Sequence, residues 1–461
     1  MNCLWNSITA QGGAIRGGFH GRGASVALQE LAAGSVFGSS LESLRGRSVL
    51  LATREQLPTA IALIELDGVA RRMVLCTPDL SPEQLAGVAA TAEAECIILD
   101  SPPAAGIGAS LSPYVISSHP LPGAAERRCS ERTEWILLTS GTTGTPKLVL
   151  HTLESLGGAL PTQTSSGAPS IWSTFYDIRR YGGLQIYLRA VLSRSPLVLS
   201  SAGESTAEFL ARAAAAGVTH ISGTPSHWRR ALMSGHAAIL EPRYVRASGE
   251  VADQALLDSL HAAYPDARIA HAFASTEAGV AFDVDDGRAG FPQALIDGPA
   301  GEINLKVVDH TLRIRSGRNA ARYLGDVPAV LVSDDGYVDT GDRVELRNGR
   351  YYFRGRVGGV INVGGLKVYP EEIESILNAD PRVRMSLVRA RRNPITGAVV
   401  VADVVLANPA NAVGPDAPEH IKNDLLDACR RSLAAHKVPA MLRFVPSLEF
   451  TAAGKLVRPG A

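Results

Sequence analysis

Between residues 48 and about 274, short apolar runs alternate with longer stretches whose apolar positions recur at helical spacing. That alternation predicts parallel sheets covered by helices. One repeat shows how local chemistry punctuates it. Residues 196–200 read as a strand, Ser205-Thr206-Ala207-Glu208 as a capping box, 209–216 as the rest of a helix and Gly217 as its stop. Residues 219–222 read as the next strand, 251–264 as an amphipathic helix and 268–274 as the strand after it. Ser275, Thr276 and Glu277 are therefore expected at a strand's carboxyl end, where open α/β sheets bind ligands.

After residue 302 the texture changes to short alternating strands, with 344–353 forming a hairpin that turns at Asn348-Gly349. Beyond 356 come a glycine-rich stretch, a helix at 370–377, strands at 385–390 and 398–406, and a long helix at 418–435. The expected architecture is α/β. A large N-terminal domain, 1–356, carries parallel sheets with flanking helices and a β-rich subdomain at about 300–356; a small, mobile α+β domain occupies 357–461. A chain of 461 residues also exceeds what a single core of roughly 250–300 residues accommodates.

Charge narrows the partners. Lys plus Arg and Asp plus Glu are 45 each, so no electrostatic pull toward nucleic acid or anionic lipid is expected. Residues 1–23 lack a secretory pattern, and charges interrupt every long apolar stretch, which predicts a soluble protein with no membrane partner. Cys3, Cys76, Cys96, Cys129 and Cys429 are odd in number and widely spaced, which predicts reduced thiols in a cytoplasmic protein.

The chemistry is concentrated in Thr139, Ser140, Gly141, Thr142, Thr143, Gly144, Thr145, Pro146 and Lys147, which follow the apolar run 135–138. Glycines and hydroxyl residues in succession let backbone N–H groups and side-chain donors converge on anionic oxygens, and Lys147 adds a charge. The P-loop of kinases and ATPases is excluded: Pro146 stands where its second glycine belongs, and Leu148 where its magnesium-binding hydroxyl belongs.

Four further segments follow in order. They are Phe273-Ala274-Ser275-Thr276-Glu277, Tyr337-Val338-Asp339-Thr340-Gly341-Asp342, Gly355-Arg356 with Gly364-Gly365-Leu366-Lys367-Val368-Tyr369-Pro370-Glu371-Glu372-Ile373-Glu374, and Thr451-Ala452-Ala453-Gly454-Lys455. Together with the loop, they resemble the motifs of the adenylate-forming superfamily, which holds acyl-CoA synthetases, peptide-synthetase adenylation domains and beetle luciferases. The resemblance runs from about residue 46 to the end.

It implies an ATP- and Mg²⁺-dependent acid–thiol ligase that forms an acyl-adenylate and passes the acyl group to coenzyme A or to the phosphopantetheine of a carrier protein. By resemblance, Thr139, Ser140, Gly141, Thr142, Thr143, Gly144 and Lys147 hold the β- and γ-phosphates. Ser248, Gly249, Glu250, Ala274 and Ser275 border the ATP site, and Phe273 stacks on adenine. Thr276 contacts the α-phosphate, Glu277 ligates Mg²⁺, Asp342 accepts the ribose hydroxyls and Arg356 reaches the nucleotide. Lys455 is the catalytic cation that bridges carboxylate and α-phosphate. Val357 and Gly358 form the hinge, and Gly364 and Gly365 line the thiol tunnel. The chain departs from the family at Leu148, commonly glycine, and at Gly358 and Gly359, where a pivot acid or lysine is usual. Asn362 resembles the acyl-CoA synthetase variant and favours thioester formation.

The acyl pocket is expected to draw on Tyr176, Asp177, Arg179, Gly183, Ser222, Ala272 and Gly279. Its polarity suggests a small or ring-bearing acid with a polar substituent, although the same side chains could instead cap a helix and face solvent. Because the chain ends six residues after Lys455, the acyl acceptor is expected in trans. Transfer to an amine and a nucleotide-binding pseudoenzyme stand as alternatives.

Overall fold

The computed structural model describes residues 3–9, 15–102, 111–123, 127–139, 146–158, 160, 169–298, 302–326, 330–394, 396–407, 417–451 and 454–458. Ser140, Gly141, Thr142, Thr143, Gly144 and Thr145, the heart of the expected phosphate loop, lie outside the described residues.

Two large sheets organise the N-terminal part. One has eight strands in the order Gly279–Val284, Arg268–Ser275, Tyr244–Ser248, His220–Gly223, Trp172–Thr174, Pro196–Leu199, Gly18–His20 and Ser25–Ala27. Its inner strands are parallel, with antiparallel strands at both edges. Residues 18–27, which match no family motif, thus complete this sheet. The other has seven strands, in which Glu134–Thr139 pairs in parallel with Arg72–Leu75 and antiparallel with Lys147–His151. Helix Gln56–Leu66 is buried at every position, and one hydrophobic cluster joins it to helix Tyr181–Leu192 and to both sheets. The Tyr187 hydroxyl donates to Ala60 O at 2.8 Å, tying the two helices together. A helix buried on all sides is apolar all round, which explains why 56–66 carries so little amphipathic signal.

Local signals account for the repeat read from the sequence. Ser205 and Glu208 form the expected capping box of helix Thr206–Ala215, and Asp253 caps Gln254–Ala263. A five-stranded antiparallel sheet follows, in which Val338–Arg347 and Arg350–Arg356 turn at Asn348 and Gly349, both at positive φ. After a single 3₁₀ turn, Val357–Gly359, the remaining chain builds a separate core. Helices Pro370–Asn378 and Ala417–Ser432 pack with strands Val383–Asn393, Gly397–Leu406 and Met441–Phe444.

One expectation needs correction. Cys3 and Cys129 form a disulfide, with Cα atoms 6.4 Å apart, while Cys76, Cys96 and Cys429 are free and buried. Their separation of 126 residues hid a pairing that packing brings about: both cysteines lie against Gly68, where a Cβ would meet the Cys129 sulfur and the Cys3 Cβ. Among the described residues no helix is long and apolar enough to cross a membrane.

Candidate active site

The parallel strands Trp172–Thr174, His220–Gly223, Tyr244–Ser248 and Arg268–Ser275 all end at the same edge of the eight-stranded sheet. The site is assembled there. Arg268–Ser275 runs into a turn at 276–278 and returns as Gly279–Val284. Three contacts hold that turn: Ala278 N–H donates to Ser275 Oγ at 3.0 Å, Ala320 N–H to Glu277 O at 2.9 Å, and His151 Nε2 to Thr276 O at 2.7 Å. Burial pushes His151 down to about 4, so the ring is neutral, and the Thr276 carbonyl fixes its proton on Nε2. Because His151 ends strand Lys147–His151, the turn bearing Glu277 is tied to the strand that follows the expected phosphate loop.

Glu277 is half-buried beside Tyr323, whose ring lies 5.3 Å from Lys147 Nζ and whose hydroxyl pKa is raised first by burial and then by the Glu277 carboxylate. Among the described residues no cluster of three or more His, Cys, Asp or Glu could hold a metal ion by itself. A single hard carboxylate fits Mg²⁺, which takes one or two protein oxygens and completes its shell with water and phosphate. Phe273 stacks on Phe353 at 5.1 Å between centroids and lies 5.8 Å from Phe282, so protein rings set its plane.

Asp342 and Arg356 oppose one another across the hairpin, with Arg356 Nε 3.6 Å from Asp342 Oδ1 and Nη2 donating to Thr340 O at 2.9 Å. Burial raises the Asp342 carboxyl above the usual range, against the pull of the Arg356 and Lys455 charges.

The carboxyl-terminal segment reaches this edge from the other domain. Helix Pro225–Met233 begins with Thr224 as its cap, and His227 returns the bond by accepting the Thr224 N–H on Nδ1. The same Thr224 hydroxyl donates to Gly454 O at 2.9 Å. Glu250 joins two partners: its carboxylate accepts Ser226 N–H at 2.9 Å and Leu456 N–H at 3.2 Å. Thr451 and Lys455 close a tight turn, with Thr451 N–H donating to Lys455 O at 2.8 Å. Between these anchors Lys455 projects beside Gly249; a Cβ there would lie 3.6 Å from Lys455 Cε and 3.9 Å from the Tyr176 hydroxyl. Lys455 is exposed to water by surface area, yet protein groups surround it, and this partial desolvation lowers its pKa below the usual lysine range, opposed by the Glu250 and Asp342 carboxylates.

The expected acyl-pocket residues separate into two groups. Tyr176 and Ser222 line one cavity with Tyr181, Gln185, Arg246 and Ser248. Asp177 and Arg179 do not line it, because they pair with each other at 2.6 Å and Arg179 is buried, donating to Thr53 O and Arg54 O. That pair braces the loop before helix Tyr181–Leu192. Gly183 serves the same turn, where a Cβ would overlap the Asp177 carbonyl; Gly279, at φ +74°, leaves room for Arg318. Ala272 is buried beside Ser248 in the sheet. Gly364 and Gly365 form the exposed tip of the hairpin Ile361–Val363 and Leu366–Val368, near Thr396. The domain presents its terminal segment to the cleft instead. Val357 is exposed, and Gly358 and Gly359 have no neighbours that a side chain would meet.

The sequence reading placed Thr224 and His227 within a pocket segment, 222–228, but missed His151, Gln185, Arg246 and Tyr323. One of these carried a signal: Arg246 is the one charge within the strand Tyr244–Ser248.

The AMP-binding enzyme family model matches residues 49–319, and the model of the AMP-binding enzyme C-terminal domain matches 372–455. The chain is 28% identical over 329 residues to 2-succinylbenzoate–CoA ligase of Salmonella typhimurium, covering 69% of this chain and 66% of the relative. It is 34% identical over 138 residues to the mitochondrial acyl-coenzyme A synthetase ACSM5 of Homo sapiens, covering 30% of this chain and 23% of the relative. The match thus spans less than two thirds of either relative's length. The crystal structure of the anthranilate CoA ligase AuaEII in complex with anthranoyl-AMP shares the fold, with a TM-score of 0.81 at 19% identity, over 99% of this chain and 95% of that one.

Proposed function

The chain belongs to the family of AMP-binding enzymes, and from that premise we propose that it activates a small aromatic or polar-substituted carboxylic acid with ATP and transfers the acyl group to a thiol. The observation that carries this reading is the seat of Lys455: the other domain delivers it to the strand-end cleft beside Gly249 and near Tyr176, where the Glu250 and Asp342 carboxylates act on its charge.

In the first half-reaction a carboxylate oxygen attacks the α-phosphorus, the bond to the β-phosphate bridging oxygen breaks, and pyrophosphate leaves. Lys455 holds the two anions together and offsets the negative charge that gathers on the α-phosphate. Lys147 and the loop before it bind the departing phosphates, and Asp342 with Arg356 orients the ribose. Mg²⁺, held by Glu277, would add charge neutralisation at the phosphates. His151 keeps the 276–278 turn at a fixed distance from the phosphate-loop strand. In the second half-reaction a thiol sulfur, losing its proton, attacks the acyl carbon and AMP leaves as a thioester forms. Rotation about 357–359 would withdraw Lys455 and bring Gly364 and Gly365 to the cleft, and the unhindered glycines there support such a motion.

ATP–pyrophosphate exchange across a panel of aryl and short-chain acids tests the first half. Exchange with one or more acids is expected, followed by AMP release on adding coenzyme A or a phosphopantetheinylated carrier. Absence of exchange with every acid overturns the reading.

A further inference from the structure

The cavity beside Tyr176 holds an unresolved polar account. Ser222, Gln185 and Arg246 all line it and are less than 5% exposed, and Ser222 Oγ, Gln185 Oε1 and Arg246 Nε have no hydrogen-bond partner among the described residues. Buried polar atoms left in this state are costly. Their convergence follows from the fold. Ser222 and Arg246 are register partners on adjacent parallel strands and so point to the same face, against which helix Tyr181–Leu192 sets Gln185. The Gln185 amide nitrogen donates to Leu156 O at 2.9 Å, which leaves its oxygen as the acceptor facing the cavity. The cavity that these three residues line with Tyr176 and Ser248 has room, as it stands, for about one water-sized group.

Resting on the adenylation reading above, we propose that this gap is the substituent subsite of the acid pocket and that its occupant is a hydroxyl on a one-ring acid, placed away from the carboxyl. The inventory fits group for group. Arg246 Nε–H and Ser222 Oγ–H donate, Gln185 Oε1 accepts, and a hydroxyl supplies two lone pairs and one proton. A carboxylate supplies only acceptors and would face the Gln185 oxygen. An aryl amine supplies chiefly donors and would leave the Arg246 N–H unpaired. Asp283 already accepts from Arg246 Nη2 at 2.7 Å, which offsets the guanidinium charge that would otherwise favour an anion. Arg246 and Ser248 lie on the same face of one strand, two residues or roughly 6.6 Å apart, and Gly249, which follows, abuts Lys455, so the gap and the lysine lie along one strand end.

The test measures binding and turnover in parallel. Acyl-sulfamoyl adenosines of hydroxybenzoic, methylbenzoic, aminobenzoic and benzenedicarboxylic acids are titrated calorimetrically, and the free acids are compared in pyrophosphate exchange. The wild-type protein is expected to favour a hydroxyl over a methyl analogue by on the order of a hundredfold in Kd. Arg246→Met should cut that ratio to within several-fold, and Asp283, being partly exposed, stays hydrated in the variant. Ser222→Ala removes an atom that bonds nothing in the protein; it should lower the ratio without lowering Tm, which separates recognition from folding. Equal or tighter binding of methyl, amino or dicarboxylate analogues, failure of every analogue to bind, or an unchanged ratio in both variants overturns the inference. So does a crystal of the hydroxyl complex in which a water still fills the gap. If hydroxyl analogues win in binding but no acid supports exchange, the subsite stands and the adenylation reading falls. If methylbenzoates exchange as well as hydroxybenzoates, the reverse holds.

Discussion

Gly454 lies flat against the ring of His227, so that a methyl group at Gly454 would overlap the imidazole. This close approach joins the residue before Lys455 to the capped start of helix Pro225–Met233. Gly454 is also at φ +68°, a conformation that disfavours any side chain. Gly454→Ala is therefore expected to unseat the terminal segment. Adenylate formation should fall by on the order of a hundredfold through misplacement of Lys455, with thiolysis of a supplied adenylate retained. Single-turnover assays of the two half-reactions measure this, and equal loss in both contradicts it.

Lys455→Ala should lower pyrophosphate exchange by about a hundredfold to a thousandfold, the range for removing one preorganised charge-stabilising donor. The wild-type rate should also carry an alkaline limb. Desolvation by the surrounding protein lowers the Lys455 pKa, so its charge is present below that pKa and disappears as pH rises, earlier than for a lysine free in water. Lys455→Arg should move the limb upward. A limb in the same place in both proteins assigns it to another group.

Glu250 links Ser226 N–H to Leu456 N–H across the two domains. Glu250→Ala is expected to weaken seating of the terminal segment by about 1–3 kcal/mol, the usual scale for charge-assisted bonds to buried donors. Amide exchange at Leu456 reads this directly. Protection there should drop while that of strand Glu134–Thr139 stays unchanged.

Stability should fall on acidification. Burial lowers His151 to about 4 and His227 to about 3, so both stay neutral in the fold while the unfolded chain takes up protons near 6.5. The unfolded state binds more protons throughout that interval, and stability is lost as pH falls from about 6.5 toward the folded values, by on the order of 3 kcal/mol for His151 and about 5 kcal/mol for His227 once the folded value is passed. Asp67, raised to about 6 by burial, opposes this, as do the raised carboxyls of Asp342 and Glu371, because each gains its proton in the fold before it does in the unfolded chain. Urea midpoints at pH 7 and pH 5 check the sign. His151→Gln and His227→Gln should each flatten the slope.

The Cys3–Cys129 bond predicts three titratable thiols, from Cys76, Cys96 and Cys429, when the chain is denatured without reductant. Five would mean that the pair is open in solution. Cys129→Ser should lower stability by roughly 2–5 kcal/mol, because the bond closes a long loop in the unfolded chain.

The elements themselves were legible in the chain because their causes are local. The capping box at Ser205 and Glu208, the turn at Asn348-Gly349 and the helix opening at Pro370 each depend on residues a few positions apart. Motif spacing likewise marked Lys455, Asp342, Arg356 and Glu277 as candidates. What stood beyond reach were relations between distant segments. The Cys3–Cys129 bond, the seat of Gly454 on His227, the withdrawal of Asp177 and Arg179 into a brace, and the meeting of Gln185, Ser222 and Arg246 all arise when separate elements pack. A sequence records the hydrogen-bonding capacity of each side chain; only packing decides which capacities are consumed by protein and which are left for a ligand.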